Sequence, residues 1–127
     1  MKSKLIFFVD DDKVINNLME YTFKSRDNYE VRTYSRGEDC IQNLGLKPDL
    51  IVLDFHFNKN VHARLNGLET LKEIVDHDKN IPVFMLTNQD DNDTIEELLQ
   101  TGARRFIAKD AYFIDELIDA IEKELSE

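Results

Sequence analysis

Cysteine is nearly absent: the chain's 127 residues include only Cys40, so neither an intrachain disulfide nor a cysteine-based zinc site can form. A lone thiol suits a reducing compartment, and the cytoplasm is the expected address. Glycine and proline are few, at four and two, and no linker, internal repeat or low-complexity tract interrupts the chain. Basic residues are also in short supply, with 16 Lys and Arg against 26 Asp and Glu, a net charge of −10. That balance repels nucleic-acid phosphates and anionic membrane surfaces, so neither is an expected partner. No apolar run approaches the roughly 20 residues of a membrane span, and the stretch from Met1 to Val9 is too short for a signal-peptide core. What remains is a length that fits one domain, residues 1–127, able to bury roughly two thirds of its unfolded surface without a staple.

Short apolar runs alternate with stretches of helical periodicity, the pattern of βα units feeding a parallel sheet. The run Leu5 to Val9 ends in three aspartates, and its lack of polar alternation predicts a strand covered on both faces. From Asp12 to about Ser25, Val14, Ile15, Leu18, Met19 and Thr22 predict a first helix. Tyr29 to Tyr34 reads as an edge-like strand. Ser35 and Glu38 then match a capping box opening a helix that carries Cys40, Ile41 and Leu44 and is stopped by Gly45. Asp49 to Asp54 is the clearest buried strand. Phe55 to Asn66 has no period and, at about 12 residues, is long enough to be functional. Gly67 opens a third helix, with Leu68, Leu71, Ile74 and Val75 on one face. Ile81 to Leu86 is strand four, ending at Thr87. A turn and cap over residues 88–93 then lead to a helix closed by Gly102. Phe106 to Ala108 forms strand five with Lys109 at its tip, and Ile114, Leu117, Ile118, Ile121 and Leu125 mark the last helix.

Asp10, Asp11, Asp54, Thr87 and Lys109 each end a predicted strand. In open α/β sheets the carboxyl ends of the strands share one edge, and ligands bind in the crevice there. Singly, each residue has an ordinary explanation: such carboxylates cap helices, and strand-end lysines are solvated. Together they ask for more. Three carboxylates within a few ångströms repel by several kcal/mol per pair at an effective dielectric of about 20, so the cluster calls for a cation or shifted pKa values. Carboxylates without His or Cys ligands select a hard cation, and a site completed by water and phosphate oxygens suits Mg²⁺ better than Ca²⁺. Lys109 and the Thr87 hydroxyl supply a cation and a donor for the remaining oxygens. Phosphoryl transfer is the expected chemistry, with Asp54 on the central strand attacking phosphorus to form an aspartyl phosphate.

In order and interval, the stretches FVDDD, VLDF, PVFMLT and FIAKD resemble the receiver domain of two-component response regulators, over the whole chain. The resemblance implies a flavodoxin-like, doubly wound, five-stranded parallel sheet of order 2-1-3-4-5 with five helices. It implies Mg²⁺ on Asp10, Asp11, Asp54 and the backbone carbonyl of His56, and phosphate oxygens on Thr87 and Lys109. It makes Phe106 the switch aromatic and His56 and Gln89 tuners of dephosphorylation. The implied donor is a sensor histidine kinase or a histidine phosphotransfer protein, and the output is a downstream protein target. A receiver is a phosphoacceptor signalling domain rather than an enzyme in the ordinary sense, with phosphorylation from donors and autodephosphorylation expected.

The chain departs from the family pattern in the enlarged 55–66 loop, in Asn88 after the threonine, and in Asp110 where a proline is usual after Lys109. Without that proline a cis Lys109–Asp110 bond would cost about 3 kcal/mol, and the sequence leaves cis and trans open. The alternative reading is a small haloacid-dehalogenase-type phosphatase, because Asp10 to Val14 also matches D-x-D-x-V with Asp10 as nucleophile; it leaves Asp54 without a role. Lys59, His62 and Arg64 give the loop local positive charge. The acidic faces of helices four and five flank Arg104 and Arg105, which suggests a homodimer through helix 4, strand 5 and helix 5 as well as a solvated face.

Overall fold

The structure, a computed structural model, describes residues 3–26, 28–55, 66–87, 92–110 and 112–126. Five βα units follow in order: β1 (Lys4–Val9), α1 (Lys13–Lys24), β2 (Tyr29–Tyr34), α2 (Gly37–Gln42), β3 (Leu50–Asp54), α3 (Gly67–His77), β4 (Val83–Thr87), α4 (Asn92–Thr101), β5 (Arg105–Ala108) and α5 (Phe113–Leu125). A 3₁₀ turn, Leu44–Leu46, joins α2 to β3. All strand pairs are parallel and the order is β2-β1-β3-β4-β5, as expected.

Alternation along the central strands builds two cores. Ile6, Phe8, Leu50, Val52, Phe84 and Leu86 face one way, against Met19 and Phe23 of α1 and Leu117 and Ile121 of α5. Phe7, Val9, Ile51, Leu53, Val83 and Met85 face the other way, against α2, α3 and α4. Because both faces are covered, these strands read as unbroken apolar runs.

Three local expectations need correction. The inward face of α1 is Asn16, Met19 and Phe23, while Val14 is 72% and Leu18 40% exposed. The capping box at Ser35 and Glu38 is not formed: the extended Arg36 takes the cap position of α2, and no side chain caps it. The box forms instead at α3, where Asn66 Oδ1 accepts the Glu69 N–H at 2.9 Å and Glu69 Oε1 accepts the Asn66 N–H at 3.1 Å. Gly45 does not stop α2, which ends at Gln42; it lies within the 3₁₀ turn, and Lys47, at φ 60°, takes the left-handed position behind it. Gly102 does close α4, at φ 131°, with its N–H donating to the Leu98 and Leu99 carbonyls. The Lys109–Asp110 bond is trans, since no cis peptide occurs among the described residues.

Candidate functional site

The strand parity that sends Phe8 and Val52 toward α1 and α5 carries Asp10 and Asp54 to the same side. Asp10 lies one residue beyond β1, and its N–H donates to the Tyr34 carbonyl at 3.0 Å. Asp54 is the last residue of β3, in register with Leu86 of β4, and the next N–H, from Phe55, donates to the Leu86 carbonyl at 2.8 Å. Both aspartates are 2% exposed. Asp11 is half-buried beside them, and one ligand oxygen from each of the three lies within 4.8 Å of the others.

Lys109 enters from the β5 edge of the sheet. Its N–H donates to the Thr87 carbonyl at 2.8 Å, and this hook aims the side chain back over the strand ends. The Nζ is 2.9 Å from Asp10 Oδ2 and 3.1 Å from Asp54 Oδ1. Burial works to lower the Lys109 pKa, but the Asp10 hydrogen bond and the Asp54 and Asp10 charges outweigh it and hold the ammonium above the ordinary lysine value. Lys109 is therefore a fixed cation at neutral pH. Thr87, fully buried, ends β4 opposite Ala108.

An all-oxygen set of three carboxylates facing one ammonium retains an excess of negative charge, and that donor chemistry fits a small hard divalent cation. Asp12 takes no part in it. Its side chain accepts the Val14 N–H at 2.9 Å as the cap of α1, so the second aspartate of D-x-D-x-V serves the helix rather than the cluster.

Asp10, Asp11, Asp54 and Lys109 are thus brought together as expected, with Thr87 at the neighbouring strand end. Phe106 is on β5 and 38% exposed. His56, Gln89, Asn88, Lys59, His62 and Arg64 lie outside the described residues. One residue escaped the sequence reading: Asn16, buried on α1, whose Nδ2 donates to the Asp10 carbonyl at 2.7 Å. Asn16 shares the inward stripe with Met19 and Phe23, but the helical pattern named Val14, Ile15, Leu18, Met19 and Thr22 together, and a polar residue among them carried no signal of its own.

Sheet order, strand-end carboxylates and a lysine bridging two of them define a receiver, and residues 6–122 match the response regulator receiver domain family. The chain belongs to that family, whose members are signalling domains of two-component systems and generally bind Mg²⁺ at an aspartate cluster of this kind. It is similar to sporulation initiation phosphotransferase F of Bacillus subtilis, at 30% identity over 98% of this chain and 96% of that protein. It is also similar to the alkaline phosphatase synthesis transcriptional regulatory protein PhoP of the same organism, at 34% identity over 84% of this chain. The chain spans 42% of the length of PhoP. Among solved structures, the receiver domain of NtrX from Brucella abortus superposes with a TM-score of 0.80 at 29% identity, over 94% of this chain and 97% of that one. Receiver domains take phosphoryl groups from histidine kinases and regulate downstream targets; nothing found supports the phosphatase alternative.

Proposed function

We propose that residues 1–127 work as one receiver domain in which Asp54 accepts a phosphoryl group from a histidine kinase or a histidine phosphotransfer protein. A carboxylate oxygen of Asp54 attacks phosphorus, the P–N bond of the phosphohistidine breaks, and the departing imidazole nitrogen keeps the electron pair and takes a proton. Asp10, Asp11, Asp54 and the His56 carbonyl would hold Mg²⁺, which supplies charge neutralisation for the phosphoryl oxygens when bound. Lys109 and the Thr87 hydroxyl would take the other oxygens. The observation that carries this reading is the Lys109 ammonium within 3.1 Å of both Asp10 and Asp54, because a cation held there can neutralise the oxygens of a phosphoryl group arriving at Asp54. His56 and Gln89 would set the lifetime of the acyl phosphate by orienting the water that hydrolyses it. Replacing each with alanine should change that lifetime, and an unchanged half-life would remove them from the role.

Phosphorylation adds roughly −1.5 to −2 charges. The new charge would draw Thr87 inward and repack Phe106, altering the surface of α4, β5 and α5 that meets a downstream protein. The chain's charge of −10 argues against direct nucleic-acid contact, and its single cysteine, buried as a free thiol, supports a cytoplasmic address. The exposed Leu99, Phe106 and Tyr112 on or beside those elements favour a homodimer as a second use of that surface.

The test is intact mass after incubation with a small-molecule phosphodonor, with Mg²⁺ and with EDTA, for the wild type, Asp54→Ala and Asp10→Ala. One metal-dependent adduct, lost in Asp54→Ala, is the expected result. Phosphate release without an adduct, abolished only by Asp10→Ala, would overturn it in favour of a hydrolase.

A further inference from the structure

Asn16 is a buried amide, 7% exposed, within α1, and the chemistry proposed above makes no use of it. Its Nδ2 donates to the Asp10 carbonyl at 2.7 Å and, at longer range, to the Tyr34 carbonyl at 3.4 Å. Two carbonyls on one side settle the amide's orientation, because a flipped Asn16 would turn its oxygen onto two acceptors. Asp10 N–H donates to the same Tyr34 carbonyl at 3.0 Å. One side chain thus ties α1 to the ends of β1 and β2.

All four polar atoms of Asp10 are thereby engaged. The N–H meets Tyr34 and the carbonyl meets Asn16, while Oδ1 accepts the Asp12 N–H at 2.9 Å and Oδ2 pairs with Lys109 at 2.9 Å. Asp10 stands one residue beyond the last residue of β1, in the turn that leads to α1, where its N–H still donates to the last residue of β2 and its carbonyl is met by Asn16. Asn16 costs something in return. Its Oδ1 is buried with no hydrogen-bond partner among the described residues, a cost that an apolar side chain of the same size would avoid, and asparagine is a weaker helix former than leucine. Leucine would spare that oxygen and favour the helix, but it lacks the donor and would take this hydrogen bond from the buried Asp10 carbonyl.

We propose that Asn16 is a positioning residue for the phosphoryl site, gripping the Asp10 backbone so that its carboxylate stands in metal-binding geometry. The inference rests on the reading that Asp10 helps to hold a divalent cation. Groups that orient a metal's ligands commonly shift affinity by about 10- to 100-fold when removed.

Isothermal titration with Mg²⁺ tests it, on the wild type, Asn16→Leu, Asn16→Ser, Asp10→Ala and Met19→Ala, at a temperature where circular dichroism shows each folded. Asn16→Ser keeps a small polar residue should the leucine variant fail to fold. Met19 is 1% exposed on the same helix and packs in the α1/α5 core, so its truncation loosens the helix without removing a contact to Asp10. Asn16→Leu and Asn16→Ser should weaken Mg²⁺ binding about tenfold, while Met19→Ala, though less stable, binds as the wild type does. Unchanged affinity in the Asn16 variants, or an equal loss in Met19→Ala, would overturn the proposal and leave Asn16 a structural residue only. Wild type and Asp10→Ala binding alike would instead refute the metal-site reading itself, and the inference with it.

Discussion

Cys40 shows how far burial alone can reset the chemistry of one side chain. It is 0% exposed in the core beneath α2 and α3, and burial pushes its thiol from 9.0 up to about 12. The folded thiol stays neutral over a range in which the unfolded thiol ionises, so the unfolded state binds fewer protons there. Stability attributable to Cys40 is therefore fully present below pH 9.0 and is lost as pH rises toward about 12, by up to about 1.4 kcal/mol per pH unit. Urea unfolding at pH 8, 9 and 10 should show a shallower alkaline decline for Cys40→Ala than for the wild type; parallel declines would refute the buried-thiol account. Lys109 is the opposite case, a half-buried cation retained because two carboxylates face it.

Among the elements, the start of α3 bears most directly on the site. A Cβ on Gly67 would lie 2.7 Å from Phe55 Cα, 2.8 Å from the Phe55 carbonyl oxygen and 2.9 Å from the Asp54 carbonyl oxygen. All three are backbone atoms next to the proposed phosphoacceptor, and backbone yields less readily than a side chain. Gly67→Ala should cost about 1–3 kcal/mol in urea unfolding and also slow phosphorylation, since relief requires the peptide after Asp54 to move. Asn66→Ala, which removes the cap alone, should cost about 1 kcal/mol and leave the phosphorylation rate less affected. A slower rate in Asn66→Ala than in Gly67→Ala would contradict this ranking. Gly45 is the contrast: nothing lies within 4 Å of its would-be Cβ and its φ is not positive. Gly45→Ala should be neutral or stabilise by about 0.4–1 kcal/mol through the unfolded chain, and a clear loss in the same urea titration would show that the 3₁₀ turn needs glycine. Capping was only half legible in the sequence. Ser35-x-x-Glu38 and Asn66-x-x-Glu69 both have a box's spacing, but the extended Arg36 occupies the cap position in the first case while both reciprocal bonds form in the second.

For the whole molecule, the question is which surfaces remain for partners once the two cores are filled. Leu99, Phe106 and Tyr112 stay 42%, 38% and 77% exposed, whereas Arg104 approaches Glu124 of its own chain at 3.9 Å and Arg105 lies over the Phe84 ring at 5.6 Å from its centroid. A dimer across this surface would thus rest on apolar contact more than on the crossed ion pairs that the sequence suggested. Sedimentation with a bound phosphoryl analogue should show self-association that Phe106→Ala weakens. A monomer with and without the analogue would confine the surface to other partners. The face of α1 was misjudged at this same scale. The helix carries two apolar stripes, and the one with Met19 and Phe23 goes inward because Phe23 packs against Phe8 and Tyr29, with ring centroids 5.9 and 5.4 Å apart.

The order of the βα units, the runs buried on both faces and the strand-end positions of Asp10, Asp54 and Lys109 were settled by the sequence itself. Periodicity and burial act within a few residues, and they mark the chain directly. Two things belonged to the tertiary structure alone. One is the direct ion pair of Lys109 with Asp10, 99 residues away along the chain. The sequence placed both at one edge of the sheet but assigned the lysine to phosphate oxygens, and the contact itself depends on how the strand ends are set side by side. The other is Asn16, an unremarkable polar residue in the helical pattern until α1 docks and turns it inward, where its amide meets the carbonyls at the ends of β1 and β2.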